Sequence, residues 1–348
     1  MRRKRKIVKS PKPASYINEA IIRIEEAITS SHHDEKLYEE QRAVNKIKSD
    51  PNYFFRYAKS YSICKTDIGP LYCNNMSLSS EPYEMCCSLI RQFNSVFTSP
   101  NPEKIVTDPE SFFSCQSIAA EHAHLYMTDI VISEQTIMEA IGELSAHSAA
   151  GPDGVPSTLL INCATELMPL LITTFTHSIS CGFIPSFLKR AAITPVFKSG
   201  DKALPKNYRP ISLTSIIIKI LERIIRKQVF SFLTEKGCLN DSQHGFRSGR
   251  SCLSALLNVF DNIMHMLSNE STVDMIYLDF SKAFDKVDHG ILLHKVRDMG
   301  ISGKLGIWFY HFLTNRSQHV RLPGGIIGDF PVLSGVSQGT VIISDYDL

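Results

Sequence analysis

Asp279 closes the apolar run MIYLDF, residues 275–280, and is followed five residues later by the aromatic Phe284 and a second carboxylate, Asp285. A carboxylate at the end of a buried strand is well placed to hold a divalent cation, because the strand fixes its position while the side chain emerges at the sheet edge. Hard oxygen ligands of this kind suit Mg²⁺. Nucleotidyl transfer is one chemistry that needs them: it uses two cations about 4 Å apart, one activating the attacking hydroxyl and one steadying the triphosphate. Alone the pattern has a plainer reading, since strand-ending acids commonly cap the next helix or face solvent. Phe284 by itself reads as a helix core residue. A second metal set, Cys64, Cys73, Cys86 and His122, matches no known zinc spacing, and the nine scattered cysteines, without a C-x-x-C pair, read as reduced thiols.

The elements that must position these residues follow from periodicity. Residues 1–66 are a basic lead-in, with Ile17, Ile21, Ile24 and Ile28 at helical spacing and the aromatic cluster NYFFRYAKSY at its end. Residues 67–128 are rich in Pro, Ser, Asn and Gly and enclose one short helical patch, YEMCCSLIRQFNSVF, which predicts a docked connector. A helix is predicted from Ile130 to Leu144 with Ser133 and Thr136 as caps. The turn AAGPDGVP and a helix bearing Leu159, Leu160, Leu167, Leu170 and Leu171 follow it. RAAITPVFKSGD reads as a strand entering a tight turn. After NYRPISL, an apolar stripe of Ile216, Ile217, Ile220, Leu221, Ile224, Ile225, Val229 and Phe232 marks the strongest helix. Its opposite face is expected to carry Lys219, Glu222, Arg223, Arg226 and Lys227.

Farther on, MIYLDF predicts a buried strand, and SKAFDKVDHGILLHKVRDMG a turn and an amphipathic helix ending at Gly300. Residues 308–320 predict another helix or a helix-to-strand passage, and QHVRLPGGIIGDFPVLSG a hairpin closing on a loop.

YLDFSKAFDKVDH, residues 277–289, resembles the first catalytic motif of non-LTR retrotransposon reverse transcriptases. Further blocks match in order: AAGPDGVP, then FIPSFLKRAAITPVFKSGDKALPKNYRPISLTSIIIKILERII, QHGFRSGRSC and SGVSQGTV, together covering about residues 149–341. An aromatic, Phe187, stands near the family's usual tryptophan, and Ser337 stands where proline is usual. The resemblance implies an α+β right-hand polymerase, with mostly helical fingers at about 129–270 and an incomplete ferredoxin-like palm at about 271–348 within a reverse transcriptase domain of 129–348, and no thumb. It makes Asp279 the first metal-binding catalytic carboxylate, with the Phe280 carbonyl as a second oxygen ligand, and Phe284 the ring that lies under the sugar and excludes a 2′-hydroxyl. Asp285 and Asp288 are left to cap and orient the turn.

An incoming triphosphate carries about four negative charges, and Arg meets phosphate with a planar two-bond fork. Lys198 and Arg209 resemble the family's triphosphate contacts; Arg247 and Arg250 are further candidates for the triphosphate or template backbone. Gln338 and Gly339 resemble the residues that pass beneath the nucleotide, where glycine allows close backbone approach. The implied cofactor is Mg²⁺, two ions with Mn²⁺ as a substitute, and the implied partners are an RNA template, a DNA primer and deoxynucleoside triphosphates.

The family continues beyond this loop to an aromatic and two aspartates, whereas this sequence reads VIISDYDL, so Asp345 and Asp347 are read as a frayed or frameshifted terminus. A chain cut before the second carboxylate motif is expected not to extend a primer. The alternative is a catalytically dead remnant that at most binds RNA.

Composition is compatible with this reading and excludes others. The 348 residues are 43% hydrophobic and 21% charged, ordinary for a globular protein, and the net charge of +2 leaves any basic surface to local clustering. MRRKRKIVKS lacks the apolar stretch of a secretory leader. No run of about eighteen apolar residues occurs, so no transmembrane helix or membrane partner is expected. The expected location is intracellular; the basic start reads as a nuclear-import or nucleic-acid patch or as a solvated tail, and the nucleus enters through the family resemblance. An unrelated enzyme with a Cys or His nucleophile has no supporting constellation.

Overall fold

In a computed structural model of the chain, the residues described are Ser30, Leu37, Tyr38, Gln41 and Arg42, then 68–73, 77–114, 125–245, 247, 249–269, 272–322 and 325–336. The chain divides into two compact units, Met1–Ile68 and Gly69–Leu348. The described residues of the first up to Arg42 are helical and exposed. The expected Ile17–Ile28 helix, the NYFFRYAKSY cluster, Cys64, His122, Ser337, Gln338, Gly339, Asp345 and Asp347 lie outside the described residues. No described helix is long and apolar enough to cross a membrane.

The second unit begins with a small ladder, β1 (Leu71–Tyr72) against β2 (Leu78–Ser79), and then α1 (Pro82–Asn94). Helix α1 starts at Pro82, whose missing N–H costs nothing at a first helical position. It buries Met85, Cys86, Leu89 and Phe93 on one face, packed against the strands β5 (Ser317–Leu322) and β6 (Gly325–Pro331). The connector therefore docks on a sheet rather than forming a core of its own.

That sheet has the order β4-β3-β5-β6, where β3 is Arg190–Phe197 and β4 is Tyr208–Thr214. Strands β3 and β4 form an antiparallel hairpin in which Val196 faces Arg209 and Phe197 faces Tyr208. Its turn is held by Lys198 N–H on Asn207 O (2.8 Å) and by Gly200 at φ +88°. Strand β5 joins β3 in parallel, with Ile193 opposite Val320, and turns back antiparallel into β6.

The main core is helical. After the one-turn α2 (Pro109–Phe112), α3 (Glu134–Gly142) starts at a reciprocal cap between Ser133 and Thr136. Then α4 (Ser157–Asn162) and α5 (Ala164–Cys181) carry the leucine-bearing stretch, with a break at Cys163 between them. The long α6 (Ile216–Glu235) begins at the Ser215 cap, and Gly151 of the AAGPDGVP turn passes so close there that a Cβ would sit 2.6 Å from the Thr214 and Ser215 backbones. Helices α8 (His289–Asp298) and α9 (Gly303–Leu313) complete the layer. Trp308 of α9 is fully buried; it stacks on Phe312 at 5.0 Å and donates its indole N–H to Ser178 Oγ at 3.1 Å.

Two expectations need correction. Glu222 does not face solvent: it is 0% exposed, because α6 is covered on a second side that also buries Ile218 one turn earlier, and the buried Arg316 stands within electrostatic reach. Residues 275–280 are not a buried strand. The segment 272–280 is irregular, with Ile276, Tyr277, Leu278 and Phe280 more than 80% exposed. A strand exists only as a partnership, and among the described residues none pairs with this run. The helix before it, α7 (Cys252–Ser268), shares this character: it buries no residue and exposes Leu253, Leu256, Leu257 and Phe260.

Candidate nucleotide-binding site

A cleft of about 720 Å³ opens between the β3–β4 hairpin, the turn after the exposed segment and the loop that follows β6. The hairpin brings Lys198 at the end of β3 and Arg209 at the start of β4, both solvent-facing, and neither forms an ion pair with a described residue. From across the cleft come Asp279, Phe280, Phe284 and Asp285. Residues about 80 positions apart in sequence thus share one cavity, as the motif positions require.

The turn bearing Phe284 has a local cause. Lys282 adopts a left-handed conformation (φ +55°), unusual for a residue with a side chain, and reverses the chain out of the exposed segment into a short 3-10 turn at Ala283–Lys286. Asp285 N–H closes the turn on Lys282 O at 3.1 Å. Asp288 ends it and caps α8, accepting Ile291 N–H at 2.9 Å. Phe284 is left about one-third exposed at the cleft wall.

Electrostatically the lining carries four cations, Lys198, Lys206, Arg209 and Lys282, against two carboxylates, Asp279 and Asp285. A cavity with that excess suits a polyphosphate. Lys206 and Lys282 were not singled out from sequence, although Lys206 sits three residues before Arg209 and Lys282 lies inside the motif itself. Gln92, Phe93, Val96 and Phe97 also line the cleft, and nothing in the connector's composition signalled them. Tyr208 forms part of the same wall; its ring meets Phe197 edge-on at 5.7 Å, its hydroxyl donates to Lys202 O at 2.7 Å, and burial raises its pKa above the usual phenol value.

Arg247 and Arg250 do not reach the cleft lining. Arg247 donates to Asn240 O at 2.8 Å and Arg250 to the Asp241 backbone carbonyl, and both pair with the Asp241 carboxylate. They brace the turn at Asn240 and Asp241. Asp279 reaches the cleft from the irregular segment 272–280, but among the described residues no three His, Cys, Asp or Glu side chains converge as a metal centre requires. The pair of cations that nucleotidyl transfer needs does not fit the described residues alone.

Most of the cleft's lining lies in a stretch whose sequence is similar to reverse transcriptases. Residues 196–342 match the family described as "Reverse transcriptase (RNA-dependent DNA polymerase)", and the relatives to which the chain is similar are proteins of transposons and mobile elements. The chain is 29% identical over 212 residues to "Probable RNA-directed DNA polymerase from transposon BS" of Drosophila melanogaster, covering 61% of this chain and 23% of that protein. It is 27% identical to "Probable RNA-directed DNA polymerase from transposon X-element" of the same fly, over 59% of this chain and 23% of the relative. With "RNA-directed DNA polymerase from mobile element jockey", also from Drosophila melanogaster, the identity is 26% over 67% of this chain and 26% of the relative. The chain thus spans about a quarter of the length of these relatives.

Proposed function

We propose that this chain carries the nucleotide-binding part of an RNA-directed DNA polymerase, acting with an RNA template and a DNA primer and taking a deoxynucleoside triphosphate into the cleft. The supporting observation is the convergence of Lys198 and Arg209 with Asp279 and Phe284 on one cavity. In this reading the β3–β4 hairpin belongs to the fingers and lays its two cations over the triphosphate. The turn at Phe284 belongs to the palm and presents its ring to the sugar. Asp279 and the Phe280 carbonyl are one corner of a Mg²⁺ site whose other ligands lie outside the described residues. Gln338 and Gly339 pass beneath the nucleotide, and the basic start of the chain directs it to the nucleus.

Equilibrium binding of dATP with Mg²⁺ to the full chain tests this. A charge-assisted hydrogen bond contributes about 1.5–3 kcal/mol, so Lys198→Ala and Arg209→Ala should each weaken binding about ten- to a hundredfold. Wild-type affinity in the double variant would overturn the proposal.

A further inference from the structure

The turn that carries Phe284 is not self-supporting. Its four consecutive carbonyls, from Phe284 to Val287, each accept a hydrogen bond from a segment remote in sequence. Val336 N–H donates to Phe284 O at 2.8 Å and Gly335 N–H to Val287 O at 2.7 Å. Ser334 Oγ donates to Asp285 O at 2.9 Å, and Thr98 Oγ1 donates to Lys286 O at 3.3 Å. Ser334 is the keystone, because the same hydroxyl accepts Thr98 N–H at 2.9 Å and so joins the two outside segments to each other. Beyond the turn, Asn101 N–H donates to Asp288 Oδ2 at 2.7 Å, and His289 Nε2–H donates to Gly335 O at 2.7 Å.

A helical turn this short leaves its last carbonyls without internal partners. Solvent normally takes them, but here Ser334 and Val336 are buried and close that route. The position of the ring therefore depends on the connector and on the loop after β6 together, and the connector's share runs through Thr98, which does not itself line the cleft.

We propose that Thr98 and Ser334 are positioning residues for Phe284. They set how far its ring projects beneath the sugar and, through that, the preference for a 2′-hydrogen over a 2′-hydroxyl. The inference rests on the reading of the cleft as a deoxynucleotide site. It assigns sugar selection in part to a connector residue nearly two hundred positions before the motif.

The test measures dATP and ATP affinities, with Mg²⁺, for the full chain and for Thr98→Val, Thr98→Ser, Ser334→Ala and Phe284→Ala. Phe284→Ala should erase the preference for dATP. Thr98→Val and Ser334→Ala should each lower it about three- to tenfold, the size of one neutral hydrogen bond, and Thr98→Val, outside the cleft lining, should leave dATP affinity itself little changed. Thr98→Ser, which keeps the hydroxyl, should restore it. If Phe284→Ala erases the preference while Thr98→Val and Ser334→Ala leave it within twofold of wild type, the inference falls and the nucleotide site stands. If the wild-type chain shows no preference, or binds neither nucleotide, the site assignment falls and takes the inference with it. Should Ser334→Ala fail to fold, the Thr98→Val and Thr98→Ser pair decides the question alone.

Discussion

Replacing Gly335 by alanine tests the clamp through its tightest point, and three glycines allow the cost to be worked out by parts. Gly335 lies at φ +83°, and an added Cβ would stand 2.7 Å from both the Phe284 and Asp285 carbonyl oxygens. Those atoms are backbone and cannot swing aside. Gly154 isolates the conformational part: it lies at φ +70° with nothing within 4 Å of the added carbon. Gly151 isolates the steric part, since its Cβ would meet the Thr214 and Ser215 backbones at 2.6 Å at an ordinary φ.

A left-handed residue with a side chain costs about 1–2 kcal/mol, and forcing a methyl into a packed contact about 1–3 kcal/mol. Gly154→Ala should therefore lose about 1–2 kcal/mol, Gly151→Ala about 1–3, and Gly335→Ala about 2–5. The assay is urea unfolding followed by far-UV circular dichroism, comparing midpoints at equal slope. A Gly335→Ala chain no less stable than Gly154→Ala would refute the close packing of the loop against the turn.

Two further outcomes are expected. Brief chymotrypsin treatment should cut first within 272–280, at Tyr277, Leu278 or Phe280, because that backbone has no strand partner among the described residues and its side chains are open to solvent; first cuts confined to other segments would contradict this placement, as mass spectrometry of the fragments will show. Burial lowers the pKa of His289 below the ordinary histidine value, only partly opposed by its hydrogen bond to Gly335 O. Between that lowered value and about 6.5 the unfolded chain binds the proton that the folded one resists, so stability should fall as pH drops below about 6.5. A His289→Gln variant should flatten that part of the unfolding profile, and an unchanged slope would show that this imidazole does not contribute.

The elements legible in the sequence are those whose pattern is local. The strand at 190–197, the cap at Ser133 and the helix at 216–235 carry their own signals in alternation, capping residues and apolar stripes, and all three are present. The cleft was legible through motif order, which placed Lys198, Arg209, Asp279 and Phe284 on one list before any geometry joined them. What failed was relational. The run at 275–280 has the composition of a buried strand, but composition supplies no neighbour. Glu222 has the chemistry of a solvent-facing residue, but a second covering surface makes its position internal. Arg247 and Arg250 have phosphate-binding chemistry, which the turn at Asn240 and Asp241 uses for its own support. The support of Phe284 left no trace in any pattern, because a backbone carbonyl has no letter in the sequence.

The parallel pairing of β3 with β5 has a consequence for synthesis. Strand β3 ends at Phe197, and its neighbour does not begin until Ser317. At about 5–20 residues per second the ribosome needs roughly 6–25 s to supply it. During that interval the hairpin's inner edge is open to any other extended chain nearby. The nascent polypeptide therefore has a window, set by topology alone, in which a chaperone over Ile193 and its neighbours would decide between productive folding and aggregation.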